Sequence, residues 1–290
     1  MKVYLDCFPC FLRQALEAAR MAGEDEGVHR ETIHAVMKRL TDLSTNVTPP
    51  QVGQVVHRTI RELTRNPDPY RELKRQYNAI ALDMFPDLST IVQQASDRLL
   101  TASKIAIAGN IIDFAALSEG FDLDGILMET LYSDLDVDGY VAFRDAVLGA
   151  NRIVYLGDNA GEVVFDRILV EEIRRISQAE ITFVVRGEPV INDATLEDAR
   201  FAGLDQLVEV ISNGSDAPAT VLSECNSEMV DAYRSADVVI AKGQGNYESL
   251  SEEAGRLFFL LRAKCPVIAQ DLGVRVGDTI LRRHEPAAPV

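Results

Sequence analysis

NRIVYLGDNAGEVVFD, residues 151–166, is the stretch from which the rest of the chain can be read. Ile153 to Leu156 is a short apolar run of the kind that forms a fully buried parallel strand. Gly157 ends the run, Asp158-Asn159-Ala160-Gly161 follows, and an apolar helical pattern begins at Val163. A strand, a tight acidic turn and a helix in succession place two oxygen-bearing side chains at a strand's carboxyl end. Open α/β sheets bind ligands at that edge. Asn159 also has the chemistry of a helix cap, with Glu162 reaching back as its capping-box partner. On this stretch alone, capping is the slightly stronger reading.

Downstream, the same grammar repeats. Short aliphatic runs recur at Ile181–Val185, Leu207–Ile211 and Val238–Ala241, separated by helical patterns at Val163–Ile176, Thr195–Ala202 and Ala219–Ser235. Upstream, Lys104–Ala108 reads as a further strand ending in Gly109-Asn110, and an acid-rich helical connection runs from about Asp122 to Leu148. Strands alternating with helices make a mostly parallel sheet covered on both faces. Leu257–Leu261 and Pro266–Ile268 add an element that can be helix or strand.

Residues 1 to about 100 are different, with apolar positions at helical spacing and no strand signal. Pro49-Pro50 opens one helix and Asn66-Pro67-Asp68-Pro69 closes it; two more are expected near Tyr70–Met84 and Leu88–Leu100. The expected architecture is an all-helical domain over residues 1–102 followed by an α/β/α domain over 103–290.

In a parallel sheet the strand ends gather at one edge: Asn110 and Asp113; Asp158 and Asn159; Arg186-Gly187 with Asn192-Asp193; Ser212-Asn213-Gly214; and Lys242-Gly243-Gln244-Gly245-Asn246. One polar turn there means little, because Asn, Asp and Gly are ordinary turn residues. Five such turns, rich in carboxylates and amides, raise a functional edge above the capping reading. Asp158, Asn159 and Asp193 supply hard oxygen ligands suited to Mg²⁺, Mn²⁺ or a similar ion. Asn110, Lys242 and Asn246 supply donors for an anion, with the Lys242 ammonium expected to point at the ligand edge. A cation beside an anion cradle suits phosphoryl chemistry.

Composition narrows the alternatives. The 290 residues carry 45 acids and 29 bases, a net charge of −16, which repels nucleic acid and anionic membranes at long range. No apolar run is long enough to span a bilayer and MKVYLDCFPC lacks a signal-peptide core, so a cytoplasmic protein is expected. The four histidines show no metal-ligand spacing, which disfavours a histidine-built zinc site. Cys7-Phe8-Pro9-Cys10 stands at the start of the first helix, outside any βαβ unit, while Cys225 and Cys265 stand alone. A structural or regulatory pair, remote from the sheet edge, is the expectation. No G-x-S-x-G elbow, G-x-G-x-x-G fingerprint or P-loop occurs.

LGDNAGEVVFDR, VRGEPVINDAT, AGNIIDF and AKGQGNYES together resemble the motifs of the metal-dependent damage-control phosphatases, long designated domain of unknown function 89. Cys7-x-x-Cys10, Asn66-Pro67-Asp68-Pro69-Tyr70 and Lys264-Cys265-Pro266-Val267-Ile268-Ala269 resemble its archaeal and bacterial branch. The resemblance covers almost the whole chain. It implies a Rossmann-like α/β/α domain behind a helical region and a divalent metal (Mg²⁺, Mn²⁺, Co²⁺ or Ni²⁺) on Asp158, Asn159 and Asp193. It further implies phosphate or substrate contacts at Asn110 and Lys242, with Asp113 and Asn246 as further positions. The implied reaction is hydrolysis of small phosphomonoesters, sugar phosphates or damaged metabolites, with the small phosphorylated metabolite as partner. Two alternatives stand beside it, a carboxyl methyltransferase using S-adenosylmethionine and a metal-binding protein without turnover. The loop Gly109–Asp113 is not the glycine-rich loop that a methyltransferase needs after its first strand.

Overall fold

The computed structural model describes residues 1–109, 125, 129–131, 135, 137–253 and 255–284. Asn110 and Asp113 lie outside the described residues. Three helices come first: α1 (Cys7–Ala22), α2 (Glu26–Asp42) and α3 (Pro49–Thr64). Asp25 caps α2 by accepting from Gly27 and Val28 N–H, and Thr48 with Gln51 forms a capping box ahead of the two prolines of α3. Phe11, Ala15, Val36, Val52, Val56 and Ile60 interlock as a small core of their own.

The next helix corrects the two expected from the sequence. α4 runs unbroken over Arg71–Gln94, carrying Pro86 inside it. Then α5 (Arg98–Ala108) occupies the place of the expected strand at Lys104–Ala108. Asp97 caps it by accepting from Leu100 N–H, and Ile105, Ala106, Ile107 and Ala108 are all buried. A helix buried all round has a continuous apolar run, which periodicity alone does not separate from a strand. A boundary at 102/103 falls inside α5; both α4 and α5 join the main core rather than that of α1–α3.

After α6 (Val137–Gly149) the α/β pattern follows as β1 (Arg152–Leu156), α7 (Glu162–Ile176), β2 (Glu180–Val185), α8 (Leu196–Phe201), β3 (Glu209–Ser212), α9 (Ser227–Ser235), β4 (Val238–Lys242), α10 (Gly243–Leu250), β5 (Leu257–Arg262), α11 (Pro266–Leu272) and β6 (Thr279–Arg283). The undecided C-terminal segment is therefore both, a strand and then a helix. The helix expected over Ala219–Ser235 is shorter, a 3-10 turn at Leu222–Glu224 followed by α9.

The six strands of the described residues lie in the order β3-β2-β1-β4-β5-β6, all parallel except β6, which runs against β5. Side chains alternate between two cores, as the two-residue period requires. Ile153, Tyr155, Phe183, Ile240 and Phe258 join one face with α4 and α5, while Val154, Leu156, Val184, Val239 and Phe259 join the other. The fold is an α/β sheet between helical layers with an N-terminal helical region. The chain winds outward from β1 to β3 and then restarts at β4 on the other side of β1. That reversal opens a crevice at the carboxyl ends of β1 and β4.

Candidate active site at the sheet switch point

The loop after β1 and the loop after β2 meet there. Ala160 N–H donates to Asn192 C=O at 2.8 Å, Ala194 N–H to Asp158 C=O at 2.8 Å, and Arg186 N–H to Ala194 C=O at 2.9 Å. Asn159 and Asp193 consequently pair as an isolated antiparallel bridge. Backbone bonding, not side-chain attraction, brings Asp158, Asn159 and Asp193 together, and all three are buried. Gly243, the first residue of α10, adopts φ +78° against this cluster, and a Cβ there would collide with the Asp158 carboxylate.

Burial pushes the Asp158 carboxyl well above the ordinary range, reinforced by Glu162 and Asp193 and opposed by Arg186 and Lys264. Burial also raises Asp193, against the pull of Arg186. The Arg186 Nε–H donates to Asp193 Oδ2 at 2.6 Å, and one terminal nitrogen stands 3.5 Å from Asp158 Oδ1. Asn159 Nδ2 donates to Glu162 Oε1 at 2.8 Å and to Asp158 Oδ2 at 3.2 Å.

That geometry replaces the capping reading. Gly161 occupies the N-cap of α7 without a side-chain cap, and its N–H is taken by Asn78 Oδ1 from α4 at 2.6 Å. The Asn159 side chain holds a carboxylate rather than the helix end.

Lys242 also differs from expectation. Its ammonium is 1% exposed and turns into the protein, donating to Asp166 Oδ1 at 2.6 Å, Ala106 C=O at 2.7 Å and Glu162 Oε2 at 3.4 Å. Ala106 belongs to the last turn of α5, whose carbonyls lack partners within the helix and attract a cation. Burial opposes the lysine's charge, but Asp166 and Glu162 hold its pKa above the ordinary value. Asp166 is pushed up to about 6 by burial despite Lys242. Asn246 is fully buried and serves the backbone, bonding Gly157 C=O, Lys242 C=O and Thr220 N–H. Neither residue lines the cavity described next. Asn213, from the β3 turn, likewise accepts from Gly187 and Ser215 N–H.

A cavity of about 610 Å³ opens over Asp158, Asn159 and Asp193. Its apolar wall includes Phe11, Pro49, Pro50 and Ile191; Gln244, Glu248 and Lys264 add polar groups. Ile191, a β-branched residue held at φ 46°, stores backbone strain at the cavity wall. Lys264 follows β5, whose carboxyl end reaches the same edge, and its charge acts on Asp158. Cys7, Cys10 and Cys265 line this cavity too, which corrects the expectation that the cysteine pair is remote from the site.

Six buried charges form the floor and what supports it: carboxylates Asp158, Glu162, Asp166 and Asp193 against Arg186 and Lys242. Burial that pushes the Asp158 and Asp193 carboxyls up makes their charged forms costly without a cation, and Lys264 near Asp158 and Lys74 near Asp193 supply part of that balance. Among the described residues no group of three His, Cys, Asp or Glu side chains could hold a metal. An ion here would rest on two carboxylates and an amide oxygen, the sparse protein shell that Mg²⁺-like ions accept beside water and phosphate oxygens.

The sequence offers Glu162 only as a capping partner and Arg186 only as one of the strand-end residues, and it singles out Asp166 for nothing. Glu162 and Asp166 carry a signal: two acids four apart among the apolar residues Val163, Val164, Phe165, Ile168, Leu169 and Val170 of the helix's first half. Arg186 directly follows a fully apolar strand end. Lys264 was hidden because the strand before it was undecided. Among the described residues the first strand is β1, and the loop that follows it is Gly157–Gly161.

Residues 3–280 match the family described as damage-control phosphatase ARMT1-like domain. An uncharacterized protein of Methanocaldococcus jannaschii is 38% identical over 98% of this chain and 96% of its own length. The damage-control phosphatase PH1575 of Pyrococcus horikoshii is 36% identical over 98% of this chain and 99% of its own. The solved structure of that domain-of-unknown-function-89 protein superposes with a TM-score of 0.87 at 34% identity, covering 98% of this chain and all of that one. With this fold, this switch-point cluster and this match over nearly its whole length, the chain belongs to the damage-control phosphatase ARMT1-like family.

Proposed function

We propose that the chain is a divalent-metal-dependent hydrolase of small phosphomonoesters. The observation that carries this reading is the convergence of the buried oxygen ligands Asp158, Asn159 and Asp193 on the floor of a half-enclosed cavity. Asp158, Asn159 and Asp193 would hold the ion, which when bound polarises phosphoryl oxygens and activates a water.

The other residues prepare that site. Arg186 fixes Asp193 and faces Asp158, so both carboxylates stay oriented although buried. Glu162 orients the Asn159 amide, and Lys242 balances Glu162 from behind. Lys264 lines the cavity beside Asp158 and supplies positive charge for a phosphoryl group, the role expected of Lys242. The apolar wall at Phe11, Pro49 and Pro50 packs the organic part of the ester and keeps bulk water from the reacting centre.

A phosphomonoester panel assayed with Mg²⁺, Mn²⁺, Co²⁺ and Ni²⁺, each against an EDTA control, tests the proposal. Turnover should require metal, and Asp158→Asn should abolish it in a folded protein. Full turnover in EDTA, or full activity of Asp158→Asn, would remove the ion from this site.

A further inference from the structure

Cys7, Cys10, Phe11 and Gln14 line the cavity. Their spacing puts all four on one face of α1. The helix therefore turns both thiols toward the space that ends at Asp158 and Asp193. Cys265, at the N-cap of α11, lines the same cavity from the α/β side. These three are free thiols, Cys10 exposed and the other two half-buried. Among the described residues they form no metal-holding group. Cys7 and Cys10 lie near enough to each other and to Cys265 that a charge on one opposes ionisation of the next, and burial raises both. These are dormant thiols that an exchange partner must draw out.

We propose that Cys7 and Cys10 form a reversible disulfide across the first turn of α1, and that this bond lowers activity by redrawing the cavity wall. Helix neighbours three residues apart have Cβ atoms about 5–6 Å apart. A disulfide needs about 3.5–4.5 Å. Closing the bond therefore tightens the first turn. That turn can yield: Asp6 at its N-cap makes no side-chain cap bond, and Pro9 has no N–H to lose. Phe11 and Gln14, one turn further along the same face, move with it.

The oxidant is a low-molecular-weight disulfide, RS–SR. One cysteine thiolate attacks it, forming a protein–SR mixed disulfide and releasing one RS⁻, which takes up the proton that the thiol lost. The second cysteine then attacks the protein sulfur of that mixed disulfide and releases the second RSH. Two electrons pass from the protein dithiol to RS–SR, and two RSH leave.

The inference rests on the proposed phosphatase reading only for its activity arm. Full-length, metal-loaded protein is equilibrated in oxidised and reduced glutathione buffers, mapped by peptide mass spectrometry, and assayed on the best ester of the panel. The expected result is a Cys7–Cys10 cross-link, two hydrogens lighter and reversed by dithiothreitol, with kcat/KM lower by about tenfold or more, since a misplacement near 1 Å can cost about a hundredfold. Cys7→Ser should lose the redox response, its kcat/KM being the same in oxidised as in reduced buffer. The mapping arm stands even if no ester is hydrolysed. Absence of that cross-link at every ratio, a cross-link to Cys265 instead, or a Cys7–Cys10 bond that leaves kcat/KM within about twofold would overturn the proposal.

Discussion

Lys242→Met separates a buried supporting lysine from a substrate-binding one. The substitution keeps the stem and deletes an ammonium that bonds Asp166 at 2.6 Å and Ala106 C=O at 2.7 Å, with Glu162 at 3.4 Å. Asp166 and Glu162 are both fully buried, so two carboxylates lose their cation and have no access to water. Removing one partner of a buried pair costs about 3–5 kcal/mol. The cost should depend on pH. Asp166 already has a folded pKa of about 6, above its unfolded value, so its folded form favours the proton and stability falls as pH rises toward and through that value. Without Lys242 the pKa rises further and the losing window extends upward. The deficit measured by urea denaturation should therefore be larger at about pH 8 than at about pH 5. Adding Asp166→Asn should recover part of it, giving a coupling energy in a double-mutant cycle. An unchanged midpoint combined with a collapse of kcat/KM would refute this account and put the ammonium on the phosphate.

Three further outcomes are expected. Gly243→Ala should weaken metal binding measured by calorimetry and destabilise the fold by more than about 1 kcal/mol, because φ is +78° and the added methyl meets Asp158. Asp216 joins α3 to the loop after β3 through Arg58, Gln54 and Arg61, and these lower its pKa to about 2 against burial. A depressed carboxyl stabilises above its unfolded pKa and loses that contribution as pH falls, so Asp216→Asn should flatten the acid limb of the stability curve between about pH 4 and pH 2. EDTA treatment should lower the thermal midpoint of the metal-loaded wild type but not that of Asp158→Asn, read by calorimetry.

Much of the sheet was legible in the sequence. Ile153–Leu156, Ile181–Val185 and Val238–Ala241 are short, apolar and bounded by turns, and each is a parallel strand. That Asp158 and Asn159 reach one edge with the loop after β2 was legible for the same reason, because parallel strands end there together; the pairing of that loop's Asp193 with Asn159 was decided by backbone bonds between the two loops. Three-dimensional context decided the rest. Ile105 to Ala108 is a helix because a neighbouring helix and the sheet bury it on every side, which erases the periodicity that distinguishes the two forms. The direction of Lys242 followed from that, since the carbonyl of Ala106 exists as an acceptor only if α5 ends there. Cys7 and Cys10 reach the cavity of Asp158 only because the helical layer folds over the sheet edge, a contact between segments some 150 residues apart. Local patterns carry information about the backbone each segment adopts; which buried charge meets which is settled only when distant segments share one interior.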